Sequence, residues 1–126
     1  MDMKSIEKLR HCDERLVRLV VLIDEYMPIK VVHTHRGREE QMKLFAEGKS
    51  KLQFPKSKHN AYPSLAVDIV PEKTYYNDAK NFYYIAGLMM ALAKTRCVKI
   101  RWGGNWDMDT DLNDNSFNDL AHFEIN

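Results

Sequence analysis

The stretch SKHNAYPSLAVDIVP, residues 57–71, decides the reading of this chain. Its second half is a short apolar run closed by Pro71, and because proline cannot donate to a central ladder the run reads as a strand that stops there. Within it lies Asp68, and ahead of it, in a loop, lies His59. A second segment, DLAHFE at residues 119–124, supplies His122. Two neutral imidazoles and one carboxylate make a three-ligand set suited to zinc, with a fourth position left open for water as in a catalytic site. The three meet only if the loop after His59 folds back and His122 arrives on a neighbouring strand. Taken singly, each histidine reads first as a surface residue or a satisfied core residue rather than a ligand.

Outward from this stretch the elements alternate. Toward the N-terminus, Leu9, Cys12, Leu16, Leu19, Val20, Ile23 and Met27 recur at three- and four-residue steps, which predicts one amphipathic helix ended by Pro28. IKVVHTH reads as a strand, REEQMKLFAEG as a short helix stopped at Gly48, and residues 49–65 as loop. Toward the C-terminus, Asn77 is an expected N-cap for a helix whose buried stripe is Phe82, Ile85, Met89, Leu92 and Ala93. VKIRW and LAHFEI alternate as strands, the first through Val98, Ile100 and Trp102, the second through Ala121, Phe123 and Ile125. Helices flanking a few short strands without a regular βαβ rhythm predict an α+β domain with a small, largely antiparallel sheet.

Composition narrows the function. The 126 residues are 44% hydrophobic and 29% charged, as in one soluble globular domain, and no linker or repeat divides residues 1–126. A chain of this length buries roughly 65% of its unfolded surface and forms a core without disulfides or a structural metal. A metal here is therefore expected to be functional. Residues 1–60 hold 13 Lys/Arg against 9 Asp/Glu, and residues 61–126 hold 6 against 9, neither with the one-signed density of a nucleic-acid-binding domain. Cys12 and Cys97 lie far apart in segments that read as helical and build no disulfide framework. The first 18 positions carry mixed charges, and the apolar run at 19–23 is too short for a signal-peptide core or a membrane span, so synthesis in a cytoplasm is expected.

Ser57-Lys58-His59, Ala66-Val67-Asp68 and Asp119-x-x-His122 resemble the S-x-H, A-x-D and D/E-x-x-H motifs of the VanY-like zinc D,D-carboxypeptidases and their phage L-alanyl-D-glutamate endopeptidase relatives. Arg36, Glu39 and Gln41 resemble the family's R-x-x-E-x-Q segment, AEGKSK its following turn, and Trp102-Gly103-Gly104-Asn105-Trp106 its W-G-G-x-W strand end. The likeness runs in family order over about residues 30–126. Two departures stand out: the interval from His59 to Asp68 resembles the longer loop of phage-type members, and His35 stands where an aromatic often precedes the arginine.

The resemblance implies a Hedgehog/D,D-peptidase-like fold with zinc on His59, Asp68 and His122, polarising the scissile carbonyl and activating water. It also implies that Asp119 takes the water proton and passes it to the leaving amine; otherwise Asp119 is a turn residue or helix cap. Arg36 could donate to the carbonyl oxygen as charge grows there, clamp a substrate carboxylate, or merely pair with Glu39 or Glu40. Gln41 is a candidate for supporting the site or contacting substrate, and Ser57 for bonding substrate or fixing the His59 loop. Trp102 reads as core, whereas Trp106, after two glycines, is a candidate pocket wall. His33 and His35 fall on the same side of a strand and are expected to be structural, and His11 is assigned no function.

Asp107, Asp109 and Asp111 alternate like the first half of an EF-hand loop, which makes them candidate ligands for a weakly held calcium ion. Leu112 and Asn118 replace the glycine and the bidentate glutamate of a full loop, so a solvated acidic loop is the competing reading. The function expected is a peptidoglycan hydrolase of the phage endolysin type, cutting the L-alanyl-D-glutamate bond of the murein stem peptide. It is expected to be monomeric, without a separate wall-binding domain, and to need a holin or membrane damage to reach periplasmic peptidoglycan. Neither nucleic acid nor membrane is an expected partner. A D-alanyl-D-alanine carboxypeptidase or dipeptidase, or a noncatalytic metal-stabilised binding module, is the alternative.

Overall fold

In the computed structural model, residues 1–73, 79–108 and 119–126 are described. The chain opens with two helices where the periodicity predicts one: α1 at Met3–Leu9 and α2 at Glu14–Tyr26. The apolar spacing carries across the break, which is why the sequence reads as continuous. What divides them is a tertiary clasp. Ser64 N–H donates to His11 O at 2.8 Å and Asp13 N–H to Ser64 O at 2.9 Å, tying residues 11–13 to the segment that follows His59. Asp13 then caps α2, its carboxylate accepting from Arg15 N–H. Cys12 accordingly lies in the break rather than in a helix, buried, with burial pushing its thiol up to about 12, well out of reactive range.

Among the described residues four strands follow: β1 at Ile29–His33, β2 at Ala66–Pro71, β3 at Ile100–Trp102 and β4 at His122–Ile125. They form one sheet in the order β1-β2-β4-β3 with antiparallel pairings throughout. With α3 at Arg38–Ala46 and α4 at Lys80–Thr95, this is the α+β architecture the pattern predicts. Residues 49–65 are not all loop, because Lys58–Asn60 form a single 3₁₀ turn. The Asn77 cap expected for α4 falls outside the described residues. The buried stripe of α4 is Ile85, Ala86, Met89 and Ala93, while Phe82 and Leu92 are only half-buried.

Alternation along the strands separates core from site. Val67 and Ile69 of β2, Phe123 and Ile125 of β4, and Ile100 and Trp102 of β3 join Leu16, Leu19, Val20 and Ile23 of α2 in one apolar cluster. The period of two sends Asp68, His122, Glu124 and Arg101 to the opposite face. There, cross-strand register places Asp68 against His122, and Arg101 against Glu124. β1 carries an irregularity between Val31 and His33, so that Val31 pairs with Ile69 and the next partner, of Asp68, is His33 rather than Val32. Asp68 thus sits on the central strand between two histidines. Among the described residues no helix is long and apolar enough to cross a membrane.

Candidate metal centre

His59 is fixed from both sides of its 3₁₀ turn. Ser57 caps the turn, its hydroxyl accepting from His59 N–H, while Asn60 returns its carboxamide oxygen to Ser57 N–H. Arg36 N–H donates to His59 O at 2.8 Å, and the imidazole Nδ1 bonds the carbonyl oxygen of Thr34. A carbonyl oxygen only accepts, so Nδ1 carries a proton, which leaves Nε2 as the nitrogen that can offer a lone pair to a metal. That nitrogen stands 3.3 Å from Asp68 Oδ1, and His122 Nδ1 stands 3.0 Å from the same oxygen. The three residues are buried, and one donor atom from each lies within 4.8 Å of the others.

The two oxygens of Asp68 divide their work. Oδ1 faces the imidazoles, and Oδ2 accepts from Arg36 Nη2 at 3.3 Å. Burial opposes the charge on Asp68, yet hydrogen bonds from His122 and His59, with their positive charge, hold its carboxyl far below the carboxylate range. For His122, burial disfavours the cation, but bonds to Asp68 and Glu124 outweigh it and raise the imidazole to about 9 in the metal-free chain. Two carboxylates therefore stabilise positive charge where a divalent cation would replace a proton. The donor set fits a metal on its chemistry: one neutral imidazole nitrogen with its tautomer fixed, one ionised carboxylate, and one imidazole whose far nitrogen is already oriented.

Arg36 pairs with Asp68 rather than with Glu39 or Glu40. Its Nη2 also donates to His33 Nδ1 at 3.2 Å, which requires that nitrogen to be unprotonated. Burial, reinforced by Arg36 against the pull of Asp68, lowers the His33 pKa and favours that neutral form. His33 is thus at the edge of the site, whereas His35 bonds the carbonyl of Ala61 away from it. Gln41 is fully buried. Its oxygen receives Arg36 Nη1 and Asn60 Nδ2, and its nitrogen donates to Ser50 Oγ and Leu52 O, a supporting position that joins α3, the arginine and the loop before His59.

Asp119 comes to the same cleft through its backbone. Its N–H donates to Gly103 O, Gly103 N–H donates to His122 O, and His122 N–H closes a turn on Asp119 O. A Cβ on Gly103 would stand 2.1 Å from Asp119 O, so only glycine allows this approach. Burial, aided by the negative charge of Asp68, raises the Asp119 pKa. Trp102 is core, its indole N–H on Leu120 O, and Trp106 lines the cleft with its ring 5.4 Å from that of His122. Of the acidic run, Asp107 is exposed, and Asp109 and Asp111 lie outside the described residues.

Two residues at the site carry no signal in the motifs. Glu124 Oε1 accepts from His122 Nε2 at 2.8 Å, and Arg101 Nη2 holds Glu124 Oε2 at 3.0 Å while its guanidinium lies 5.2 Å from the Trp106 ring centre. The spacing of two from His122 along a strand, which puts both on one face, would have found Glu124. Arg101 needed the strand register. The cleft that these groups enclose measures about 290 Å³ and is lined by Arg36, Ser57, His59, Trp106, Asp119 and His122 among others.

A family model described as phage L-alanyl-D-glutamate peptidase matches residues 1–126. Among solved structures, the Serratia marcescens L-Ala D-Glu endopeptidase ChiX superposes with a TM-score of 0.79 at 25% sequence identity, over 100% of this chain and 89% of that one. No curated protein matches the chain by sequence.

Proposed function

The chain belongs to the phage L-alanyl-D-glutamate peptidase family, and from that membership we propose that His59, Asp68 and His122 hold zinc for cleavage of the L-alanyl-D-glutamate bond in the peptidoglycan stem peptide. It is a peptidase, and its substrate is peptidoglycan. The observation that carries the assignment to this site is the convergence of three buried donor atoms within 4.8 Å, with the His59 tautomer fixed by a carbonyl. Zinc, when bound, polarises the scissile carbonyl and makes water a competent nucleophile near neutral pH.

The remaining work belongs to the chain. Asp119, partly desolvated and beside His122, accepts the proton of the attacking water and returns it to the leaving amine. Arg36 holds Asp68 Oδ2 and keeps Oδ1 turned inward. Its buried Nε has no hydrogen-bond partner among the described residues and is a donor for the developing oxyanion or a substrate carboxylate. Ser57 fixes the His59 turn and, with Trp106, lines the cleft as a substrate contact. Gln41 serves the substrate indirectly, through Arg36 and the loop it anchors. Calcium on Asp107, Asp109 and Asp111 rests on their spacing alone. The enzyme acts as a monomer on periplasmic peptidoglycan after release from the cytoplasm that made it.

The test is mass spectrometry of purified murein incubated with zinc-loaded protein, alongside metal analysis of His59→Ala and His122→Ala. New amino termini on D-glutamate, lost together with the metal in both variants, are the expected result. Release of D-alanine would make the protein a carboxypeptidase, and absence of product would make it a binding module. Full activity in metal-free His122→Ala would overturn the ligand set.

A further inference from the structure

A second cavity, of about 280 Å³, adjoins the candidate metal centre and is lined by Lys8, His11, His33, His35 and Glu40 among others. His33 is the shared wall: it takes a hydrogen bond from Arg36 Nη2 at 3.2 Å and stands 3.8 Å from Asp68 Oδ2. Two of the other lining residues carry Tyr62. Its ring meets that of His35 edge-on, with centres 5.1 Å apart and planes at 87°, and its hydroxyl shares a hydrogen bond of 3.0 Å with His11 Nδ1. His35 is itself fixed, its Nδ1 donating to Ala61 O at 3.0 Å. Yet 65% of Tyr62 is exposed. A lone exposed aromatic needs no explanation, but a ring gripped by its edge and its hydroxyl, open to solvent beside a cavity, is a preorganised contact surface.

The platform is tied to the segment that carries His59. Thr34 O accepts from His59 Nδ1, Arg36 N–H donates to His59 O, and His35 bonds Ala61 O, so residues 34–36 and 59–61 lie side by side. Tyr62 follows His59 by three residues, which limits the separation of their Cα atoms to about 11 Å. In peptidoglycan the scissile carbonyl belongs to an alanine whose nitrogen is acylated by the lactyl group of an amino sugar. One residue and a lactyl unit span about 7 Å when extended, so a sugar ring stays within about 10 Å of the reacting carbonyl. That is the scale that separates Tyr62 from His59. The cavity walls are imidazoles, an ammonium, a carboxylate and a hydroxyl-bearing threonine, with Val32 their one aliphatic residue, a lining that suits a sugar better than an apolar peptide.

We infer that Tyr62, held by His11 and His35, is a sugar-stacking platform, and that the cavity beside it takes the polar groups of the amino sugar nearest the scissile bond. The inference rests on the proposed placement of that bond at His59, Asp68 and His122, and adds a glycan subsite to it. One face of a pyranose is a row of C–H groups, which packs on the electron-rich face of an aromatic ring. Its hydroxyl and acetamido groups then turn to the imidazoles, Lys8 and Glu40, which supply both donors and acceptors. An aromatic contact of this kind contributes roughly two- to tenfold in affinity.

The experiment compares two synthetic stem peptides, identical except that the alanine nitrogen carries either N-acetylmuramic acid or a plain lactyl group, by steady-state kinetics. The ratio of the two KM values is read within each protein. NMR follows binding of N-acetylmuramoyl-L-alanine, which holds no scissile bond. Wild-type protein is expected to favour the sugar-bearing peptide about fivefold, through KM rather than kcat, with shifts at His11 and His35 on binding the sugar compound. Tyr62→Ala, and Tyr62→Leu, which keeps bulk without an aromatic face, should bring the ratio near one and weaken the sugar compound by the same factor. Tyr62→Phe, which keeps the ring and loses only the bond to His11, should keep most of the ratio. Tyr84→Ala, at an exposed tyrosine of α4 that lines neither cavity, should keep all of it. A ratio near one in the wild type, or the full ratio in Tyr62→Ala and Tyr62→Leu, overturns the inference. If the wild type cleaves neither peptide, the placement of the bond fails, and NMR binding that is present in the wild type and lost in Tyr62→Leu still decides for the subsite.

Discussion

At the scale of single residues, charge placement divides the roles around the candidate metal centre. Asp68 is held ionised against burial by its two imidazole neighbours, whereas Asp119 is pushed the other way by burial and by Asp68 itself. Two carboxylates with opposed environments suit opposed tasks, ligand and proton acceptor. Asp119→Asn is therefore expected to retain stoichiometric zinc by atomic absorption and to lose ~100-fold or more in kcat, because the amide keeps the shape and cannot take a proton. Loss of zinc in that variant, with Asp68→Asn retaining it, would exchange the two assignments. Glu124 acts one step further out, through the far nitrogen of His122. Glu124→Ala should weaken zinc by about 10- to 100-fold in a chelator competition, and Glu124→Gln, which keeps an acceptor oxygen, should weaken it less.

At the scale of elements, the site is a product of strand register and of one glycine clasp. β2 and β4 are paired so that Asp68 faces His122, and the end of β3 passes close enough to bind both ends of the Asp119–His122 turn through Gly103. An added methyl at Gly103 would sit 2.1 Å from Asp119 O, a backbone atom that cannot swing aside like a side chain. Gly103→Ala should force that turn away from β3. The expected result is a large fall in kcat with a lower Tm, while metal binding falls less, since His59 and Asp68 are not attached to this turn. A variant with wild-type kcat would show that Asp119 does not depend on the clasp.

At the scale of the molecule, the last strand holds core and chemistry together. β4 lies inside the sheet between β2 and β3, with His122 and Glu124 on the site face and Phe123 fully buried on the core face. Terminal residues are commonly expendable, but removal of residues 122–126 would delete an interior strand along with the proposed ligand His122. A milder probe separates the two effects. Phe123→Ala should cost about 3–5 kcal/mol in urea unfolding, a large share of the ~5–15 kcal/mol typical of a whole domain, while zinc still binds the fraction that remains folded. A loss under 1 kcal/mol would mean that this face of β4 is not the centre of the core.

The sequence by itself determined the donor types, the three residues that could ligate a metal and the α+β class. Those are carried by side-chain chemistry and by local periods of two and of three to four residues, which survive without knowledge of the fold. Only the tertiary structure decided which groups meet. Periodicity ran straight through residues 10–13, and the helix breaks there because Ser64, distant in sequence, takes the backbone bonds of His11 and Asp13. Arg36 has Glu39 and Glu40 as near neighbours in sequence and pairs instead with Asp68, 32 positions on. The β1 irregularity that aligns His33 with Asp68, and the register that sets Arg101 against Glu124, leave no trace in residue spacing. Partner choice depends on distance in space, and that is settled when the sheet closes and the core face of each strand fixes where its other face points.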